Sequence, residues 1–382
     1  MKLAVPTETR PGERRVALIP DVAGRLAGSG VEVVVQEGAG ALAHFPDSAY
    51  VDKGATVRAG AREVLSAADL VAKVQAPTPQ EVELLAEGAT VVSFLQPGAQ
   101  LDTVRALVQR KATAFSLDLV PRISRAQSMD ALSSQATVSG YLSALAAAER
   151  LPKFFPMFMT AAGTVPPAKV LVLGAGVAGL QAIATARRLG AQVRAYDVRA
   201  AAKEEVQSLG AAFVELELES QEGSGGYARE QSEEFLARQR ELIGNEVAAS
   251  DVVITTAAVP GRKAPILVTT AMVERMAEGS VIVDMAADGG GNCELSEPGE
   301  DIDHNGVVVC GLTNPPAAMP THASFLFSRN VANFLALIVA EGELRPDFDD
   351  EIVKGSCVVR AGTVVHEPTA ELIAGAGKEG AP

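Results

Sequence analysis

A short polar stretch ahead of a glycine-rich loop contains residue types that can hold a ligand group. Residues 121–136 read PRISRAQSMDALSSQA and place Arg122, Arg125, Gln127 and Asp130 close together in the chain. Guanidinium, amide and carboxylate groups bind ligands through several directed hydrogen bonds. A segment between two α/β regions is also commonly a solvated loop. The residues alone leave both interpretations open: a solvated linker, or a connected polar set formed by Arg122, Gln127 and Asp130.

The glycine-rich loop that follows has the spacing of a dinucleotide-binding fingerprint. Gly174, Gly176 and Gly179 form GxGxxG in VLVLGAGVAGL, after an apolar predicted strand and before an apolar-periodic predicted helix. In such loops the first glycine permits a tight turn, the second lets backbone approach a pyrophosphate, and the third allows close helix packing. The N–H groups at the start of the helix attract the anion. The sequence therefore predicts a dinucleotide site that also includes Ala175 and Val177.

An acidic residue stands where the adenosine ribose of such a cofactor is bound. Asp197 ends the next predicted strand, AQVRAYD, and its carboxylate would accept ribose hydrogen bonds. Val198 and Arg199 follow directly and are predicted to border the same position. A carboxylate repels the 2′-phosphate of NADP, which favours NAD(H) as the cofactor. Arg194 and Arg199 are nearby cations that keep NADP open as an alternative.

A dehydrogenase that acts on a hydroxy or amino acid also needs a group that takes up a proton, usually histidine or lysine. No histidine ends a predicted strand of the first domain, so each is predicted to be a surface or helix-cap residue: His44, His304, His322 and His366. Lys73 ends an apolar strand and points toward the edge where ligands bind, or else it is a solvated strand-end lysine. Arg15 either clamps a carboxylate or forms a surface ion pair.

The elements that must position these residues alternate along the chain. Apolar runs typical of buried strands alternate with helical segments, which predicts an α/β fold. We expect two Rossmann-like doubly wound parallel-sheet domains, separated by a cleft and linked by long helices at 132–151 and 321–340. The predicted N-terminal α/β domain comprises residues 1–131 plus 325–382, and the predicted NAD-binding Rossmann domain comprises residues 132–324.

Composition excludes several classes of function. The 382-residue chain has a formal charge of −14, which argues against nucleic-acid partners. No apolar run approaches the ~18 residues of a membrane span, so direct membrane insertion is not expected. The three cysteines, Cys293, Cys310 and Cys357, are scattered without a CxxC pair, so no metal site is predicted. A cytoplasmic location fits these features.

Several segments together resemble the alanine dehydrogenase and transhydrogenase superfamily over nearly the whole chain: ERRVALIP, LVAKVQAP, GAGVAGLQAIATARRLGAQV, PGRKAPILV and VIVDMAADGGG. Alanine dehydrogenases have a catalytic histidine after the strand that here reads VVSFLQPGA, and the matching position is Gln96. The segment RISRAQSMDALSSQA instead resembles the signature loop of the soluble NAD(H)-binding alpha component (domain I) of proton-translocating nicotinamide nucleotide transhydrogenase.

This resemblance implies roles for the polar stretch. Arg122, Gln127 and Asp130 correspond to residues beside the nicotinamide in the family, and Ser133 follows them. Hydride transfer between two nicotinamide C4 atoms moves no substrate proton, so positioning replaces general base catalysis as the main task. The amide and the carboxylate are expected to orient the NADH carboxamide. The arginine is expected to hold Asp130 or a phosphate.

The resemblance implies further cofactor contacts in loops. Tyr227 matches a tyrosine in a family loop that closes near the bound nucleotide, and Asp288 matches an acidic position of alanine dehydrogenases. Asn314 follows a predicted strand, where cofactor contacts are usual. Three more candidates lie in AAVPG: Ala258, Pro260 and Gly261.

The implied activity is that of a Re/Si-specific, proton-translocating NAD(P)⁺ transhydrogenase. The implied assembly is a homodimer that binds NAD(H) and docks on an NADP(H)-binding beta-type subunit, together with a membrane-spanning subunit. It would lie in the cytoplasm, peripheral on the inner face of the cell membrane. The first alternative is a stand-alone NAD-dependent alanine dehydrogenase that uses Lys73 and Arg15, which Gln96 opposes. The second is a non-catalytic NAD-sensing module.

Overall fold

The computed structural model describes residues 1–215, 233–257 and 263–376. The chain divides into two compact units. The first unit is Met1–Gln135 with Pro316–Pro382, and the second unit is Ala136–Pro315.

The strands are numbered in chain order. The first group is β1 (Lys2–Val5), β2 (Glu32–Gln36), β3 (Thr56–Arg58), β4 (Leu70–Ala72), β5 (Thr90–Ser93) and β6 (Thr113–Ser116). The second group is β7 (Phe158–Thr160), β8 (Gly163–Val165), β9 (Lys169–Leu173), β10 (Gln192–Tyr196), β11 (Ala212–Phe213), β12 (Val252–Thr255), β13 (Val281–Asp284), β14 (Asp301–His304) and β15 (Val307–Gly311). The last group is β16 (Val339–Ala340), β17 (Glu343–Leu344), β18 (Cys357–Arg360) and β19 (Thr363–Val364).

The helices are numbered in the same way. Those before the glycine-rich loop are α1 (Pro20–Gly28), α2 (Asp47–Asp52), α3 (Ala61–Leu65), α4 (Pro79–Leu84), α5 (Leu101–Gln109) and α6 (Ala131–Arg150). The next are α7 (Val177–Arg188), α8 (Ala202–Ser208), α9 (Glu233–Ala248), α10 (Thr270–Val273) and α11 (Pro315–Ala318). The last are α12 (Pro320–Ile338), α13 (Glu351–Ser356) and α14 (Glu367–Ala376). Short 3₁₀ helices occur at Ala41–Ala43, Leu117–Leu119, Ser124–Met129 and Ala287–Gly289.

The first unit contains an eight-stranded sheet in the order β19-β18-β6-β5-β4-β1-β2-β3. Strands β1 to β6 are all parallel to their neighbours among themselves, and β18 pairs with β6 in the antiparallel direction. Strand order reverses between β1 and β4. In a doubly wound sheet the loops that leave such neighbours diverge, and ligands bind at their carboxyl ends.

Both faces of this sheet are buried, so its strands read as continuous apolar runs rather than alternating ones. On one face Val33, Val35 and Phe115 pack with Phe327 and Phe334 of α12. On the other face lie strand residues together with residues of α3, α4 and α5. Burying a phenylalanine of this size contributes roughly 1.5–3 kcal/mol. Helix α12 is therefore a main element of the first core.

The second unit contains a seven-stranded sheet in the order β11-β10-β9-β12-β13-β15-β14. All neighbours are parallel except β14 and β15. Helices α6 and α7 cover one face, and α9 and α10 cover the other. The order reverses between β9 and β12, so the loop after β9 lies at the switch point.

These two sheets confirm the predicted α/β class with two Rossmann-like doubly wound domains. The predicted helices at 132–151 and 321–340 correspond to α6 and α12. The predicted domain limits fall after residues 131 and 324, whereas the compact units change after Gln135 and Pro315. None of the helices that the structure describes is both long and apolar enough to cross a membrane.

Candidate functional site

The loop after β9 has the backbone that its glycines predict. Gly174 has a φ of +99°, which side chains rarely adopt, and an added Cβ would lie 2.5 Å from Thr256 Oγ1. A Cβ on Gly179 would lie 1.9 Å from the Gly174 carbonyl oxygen. Gly176 differs, because no atom of the described chain lies within 4 Å of its added Cβ. The first and third glycines thus serve internal packing, whereas the second faces open space.

Helix α7 begins directly behind this loop. Gly176 is its N-cap and provides no side-chain cap, and Val177 is 43% exposed. The first N–H groups of a helix lack intrahelical partners and carry partial positive charge. The open space at Gly176 and these N–H groups fit a pyrophosphate.

Asp197 is fixed beside the same loop. Its carboxylate accepts the Ala175 N–H at 2.7 Å, the Arg199 N–H at 2.8 Å, and both Nε and Nη2 of Arg199. Burial acts to raise the pKa of Asp197, but these hydrogen bonds outweigh it and lower the pKa. Val198 is exposed beside this pair. A charged carboxylate is therefore held where a ribose would bind.

The two arginines near Asp197 have different partners. Arg194 pairs with Glu246 on α9 at 3.0 Å, while Arg199 pairs with Asp197 itself. Arg199 is thus the cation that bears on the choice between NAD and NADP, and its charge offsets that of Asp197.

Other predicted cofactor residues lie at the carboxyl end of the second sheet. The Asn314 N–H donates to Asp288 Oδ2 at 3.0 Å, so the loops after β13 and β15 are joined there. Four predicted residues lie outside the described residues: Tyr227, Ala258, Pro260 and Gly261.

Sequence reasoning missed three polar residues of this edge: Thr256, Asp284 and Asn292. Thr256 Oγ1 donates to the carbonyl of Gly174 at 3.1 Å. Asp284 and Asn292 are fully buried and bind backbone groups of neighbouring loops. Thr256 and Asp284 lie at the ends of predicted strands, which was the available signal for those two, whereas Asn292 lies in a loop eight residues after Asp284 and carried no such signal.

The polar stretch lies in the first unit except for its last residue, Ala136, which begins the second. Its 3₁₀ helix, Ser124–Met129, is held by Asn330 and Asn333 of α12, which both donate to the Ser128 carbonyl. The Asp130 carboxylate accepts the Ser133 N–H at 2.8 Å and the Ser133 hydroxyl at 2.6 Å. Asp130 therefore has a helix-capping role at the start of α6, in addition to any ligand role.

The two arginines of this stretch, Arg122 and Arg125, differ in their partners. Arg125 forms two hydrogen bonds with Asp350, which also caps α13. These bonds help to lower the pKa of Asp350 to about 2. The side chains of Arg122 and Gln127 are exposed and make no hydrogen bond or ion pair to the residues that the structure describes. Arg122 therefore makes no bond to Asp130 in this structure, and its expected role, to hold Asp130 or a phosphate, stays a prediction.

The alternatives for Lys73 and Arg15 as solvated residues are wrong, because both are buried. Lys73 is 1% exposed, and its Nζ lies 2.6 Å from Glu81 and 3.7 Å from Glu8. Arg15 is 3% exposed and binds Glu13 at 2.6 Å. It also donates to Gln135 at 2.9 Å. Both cations thus already have buried polar partners.

Two buried acids near Lys73 and Arg15, Glu8 and Glu13, have pKa values shifted in opposite directions. Desolvation raises the pKa of Glu8 to about 6, although Lys73 acts to lower it. Burial also acts to raise the pKa of Glu13, but the bonds from Arg15 outweigh it and lower the pKa to about 2. Lys73 thus leaves Glu8 incompletely compensated, because its shorter contact is with Glu81.

We expect Glu8→Gln to remove a pH-dependent loss of stability. A raised native pKa favours folding below pH 4.5 and loses that contribution as the pH rises through about 6. The free energy of unfolding of the native chain should therefore fall, relative to Glu8→Gln, by about 2 kcal/mol across that window. Urea unfolding at several pH values measures it. Glu87→Gln, at an exposed pair with Lys111, is the control, and the free energy of unfolding of the native chain should show no such fall relative to this variant. A constant difference between native and Glu8→Gln proteins would contradict the expectation.

The position of the family histidine is clear in the structure. Gln96 follows β5 with a φ of +45°, is exposed, and donates its N–H to Asp118 at 2.8 Å. Among the four histidines, His366 binds Thr369 at the start of α14, as a helix-cap residue would. His44 and His322 are exposed, and His304 contacts Glu274.

Comparison with known protein families assigns the chain. Residues 4–139 match the family described as "Alanine dehydrogenase/PNT, N-terminal domain", and residues 143–367 match "Alanine dehydrogenase/PNT, C-terminal domain". The chain belongs to the alanine dehydrogenase/PNT family. Membership of this family implies nicotinamide nucleotide binding.

Within the family the greater similarity is to transhydrogenase alpha subunits. The chain is 49% identical over 376 residues to an NAD(P) transhydrogenase alpha-subunit protein of Rhodospirillum rubrum, covering 96% of this chain and 98% of that protein. A transhydrogenase crystal structure from Sinorhizobium meliloti is 42% identical, with a TM-score of 0.88, and covers 96% of this chain and 100% of that one. A structure of L-alanine dehydrogenase is 28% identical, with a TM-score of 0.83 and coverage of 98% and 99%. Alanine dehydrogenase is thus the more distant relative.

Proposed function

We propose that this chain is the NAD(H)-binding subunit of a proton-translocating, Re/Si-specific NAD(P)⁺ transhydrogenase. It positions NADH for direct hydride transfer to NADP⁺ bound on a partner subunit. Proton translocation is coupled to this step by separate membrane subunits. The observation that carries the proposal is the polar stretch 121–136, where Arg122 and Gln127 keep unused donors and acceptors beside the fixed Asp130.

The residues of the second unit fit the cofactor. The open space at Gly176 and the start of α7 would receive the pyrophosphate, and Asp197 would accept the ribose hydroxyls. Asp288 and Asn314 would line the nicotinamide half. When bound, NADH supplies a hydride from its C4 atom, which leaves with its electron pair. The acceptor is the C4 atom of the partner's NADP⁺, so NAD⁺ and NADPH are the products.

The chain's own residues would act by orientation. Gln127 offers an amide donor and acceptor to a carboxamide, and Arg122 offers paired N–H groups to a phosphate. Asp130 is held by Ser133 and would keep this stretch in one conformation. Transfer between two nicotinamides releases no proton, so no general base is needed. This agrees with the amide of Gln96 at the position of the family histidine.

The alternative activity is NAD-dependent alanine dehydrogenation. Lys73 and Arg15 are the observation in its favour, because both lie near the carboxyl edge of the first sheet. Their buried pairs with Glu81 and Glu13 oppose it, since a substrate carboxylate would have to displace an existing partner.

Hydride exchange tests the proposal directly. The purified chain and NADH are mixed with an NADP(H)-binding transhydrogenase domain and an oxidised nicotinamide analogue, and parallel samples contain alanine and NAD⁺. Exchange without alanine oxidation is expected. Alanine oxidation without exchange would overturn the proposal and direct attention to Lys73.

The proposed assembly is a homodimer that docks on an NADP(H)-binding beta-type subunit and, through it and a membrane-spanning subunit, lies on the cytoplasmic face of the membrane. A surface of the second unit supports the dimer. The hairpin β7–β8 and its approach expose Phe154, Met157, Phe158, Met159 and Val165. An open groove of about 830 Å³ lies beside them. Apolar clusters of this kind are rare on monomers.

We expect Met159→Lys to weaken the dimer by at least about tenfold in Kd, because a charge would be buried without a partner. Met159 is 79% exposed, so the fold of one chain should not change. Sedimentation over a concentration series measures the dissociation constant. Leu372→Lys, on exposed α14 of the first unit, is the control and should dimerise normally. Equal dissociation constants for Met159→Lys and Leu372→Lys would show that the β7–β8 hairpin is not part of the dimer interface.

A further inference from the structure

A buried polar chain connects the strand ends of the second sheet to the glycine-rich loop. It begins at Asp284, the last residue of β13, which is fully buried. The Asp284 carboxylate accepts Thr255 Oγ1 at 3.0 Å and the N–H groups of Ala286, Asn292 and Cys293 at 2.7–3.0 Å. Four donors thus fix this carboxylate and, with it, the backbone of Asn292.

The Asn292 side chain continues the connection. Its Nδ2 donates to the carbonyls of Ala257 and Pro265, both at 2.8 Å, and its Oδ1 accepts the Ala257 N–H at 3.0 Å. The side chain is fully buried, and both amide N–H bonds and the amide oxygen are used. Only an amide supplies two donors and one acceptor in this geometry, because a carboxylate has no donor.

The connection ends at the first glycine of the fingerprint. Thr256, adjacent to Ala257, donates its hydroxyl to the Gly174 carbonyl at 3.1 Å and to the Leu173 carbonyl at 3.3 Å. Gly174 is also the residue whose carbonyl lies against Gly179. The Asn292 amide is therefore two hydrogen-bonded links from the turn that receives the pyrophosphate.

We propose that Asn292, held by the buried Asp284, is a positioning residue for nucleotide binding: it holds Thr256 and Ala257 against the glycine-rich loop. The inference rests on the proposed NAD(H) binding by this loop. Asn292 would touch no cofactor atom itself. Its effect on affinity comes from the placement of Thr256, which sets the position of the Gly174 carbonyl.

The deciding variant is Asn292→Asp, because it preserves side-chain shape and reverses polarity. The introduced carboxylate has no N–H to donate to the carbonyl oxygens of Ala257 and Pro265. The Ala257 backbone should therefore be displaced. Buried backbone groups would be left unpaired, and the displaced loop should raise the Kd for NADH by roughly 10–100-fold.

The pH profile separates positioning from general loss of structure. Burial raises the pKa of a carboxyl group, and the protonated form regains one donor. The ratio of the Asn292→Asp Kd to the native Kd should therefore be smaller at about pH 6 than at about pH 9. Asn292→Ala should weaken binding at both pH values, because it has no titratable group. Calorimetric titration with NADH, well below the unfolding temperature of each variant, gives these constants.

Three further variants keep the test decisive. Ser250→Ala removes a buried hydroxyl that donates to the Glu246 carbonyl at 2.7 Å, outside the polar chain, so it should lower the unfolding temperature and keep the native Kd. Thr256→Val should weaken NADH binding, because it removes the hydroxyl that donates to the Gly174 carbonyl. Thr256→Ser retains this hydroxyl and should keep the native Kd. This second pair decides the question if the Asn292 variants do not fold.

The outcomes are distinct. Native NADH affinity in folded Asn292→Asp, or in Thr256→Val, would overturn the inference and leave these residues with a role in stability alone. Failure of the native chain to bind NADH would overturn the proposed function and the inference together. Weak binding that recovers with acid in Asn292→Asp alone would establish the positioning role.

Discussion

Gly176→Ala should fold normally and lose NADH affinity by roughly two orders of magnitude. The added Cβ meets no atom of the described chain within 4 Å, and the φ of −71° suits alanine. The methyl group would instead occupy the space through which a pyrophosphate reaches the N–H groups of α7. Hydrogen bonds to a charged group are worth about 1.5–3 kcal/mol each, so loss of one or two accounts for this change. NADH titration with thermal unfolding of the same samples measures both quantities.

Alanine substitutions at two other glycines, Gly179 and Gly28, are the matched controls for Gly176→Ala. Gly179→Ala should lose both stability and affinity, because its Cβ would collide with the Gly174 carbonyl at 1.9 Å. Gly28→Ala, at the end of α1 in the first unit, also meets open space and should bind NADH normally. If Gly176→Ala binds NADH as tightly as Gly28→Ala, the pyrophosphate does not lie at the start of α7.

Gln127→Asn should slow hydride transfer by roughly 10–100-fold while the Kd for NADH remains nearly constant. Shortening the side chain by one methylene withdraws the amide from a carboxamide by about 1 Å, and displacement of this size costs up to about 10²-fold in rate. Gln127 is exposed and has no partner among the described residues, so stability should not change. The fingerprint that supplies most of the affinity is untouched.

The measurement is single-turnover hydride transfer to the NADP⁺ analogue on the partner domain, with the Kd taken separately. Arg125→Gln is the control, because Arg125 lies in the same stretch but holds Asp350. Its rate should stay within about twofold of the native rate, since an exposed ion pair contributes little. Equal loss of rate in both variants, or equal loss of rate and affinity in Gln127→Asn, would exclude an orienting role for Gln127.

The fold could be predicted largely from local pattern. Apolar runs such as the VVV of β2 and the spacing of Gly174, Gly176 and Gly179 are continuous in sequence, so they identify strands and the turn after β9. The close approach of Gly179 to the Gly174 carbonyl follows from the same motif. These features depend on neighbours in the chain.

The polar contacts could not be predicted in this way. Lys73 was expected at a strand end, but its burial depends on Glu8 and Glu81, which strand order brings together. Arg125 finds its partner Asp350 only because the C-terminal segment returns to β6 through β18. Asn292 binds carbonyls of Ala257 and Pro265, and no spacing rule marks an asparagine that binds backbone groups of another loop.

The first unit is assembled from both ends of the chain, with β18 on β6 and α12 against the first core. During synthesis on a ribosome, β6 is complete long before its neighbour β18 exists. We therefore expect the nascent first sheet to wait with an open strand edge and an uncovered apolar face while the whole second unit is translated. Such edges pair readily with other chains. The order of synthesis makes the interval before α12 emerges the period of greatest aggregation risk and greatest need for chaperones.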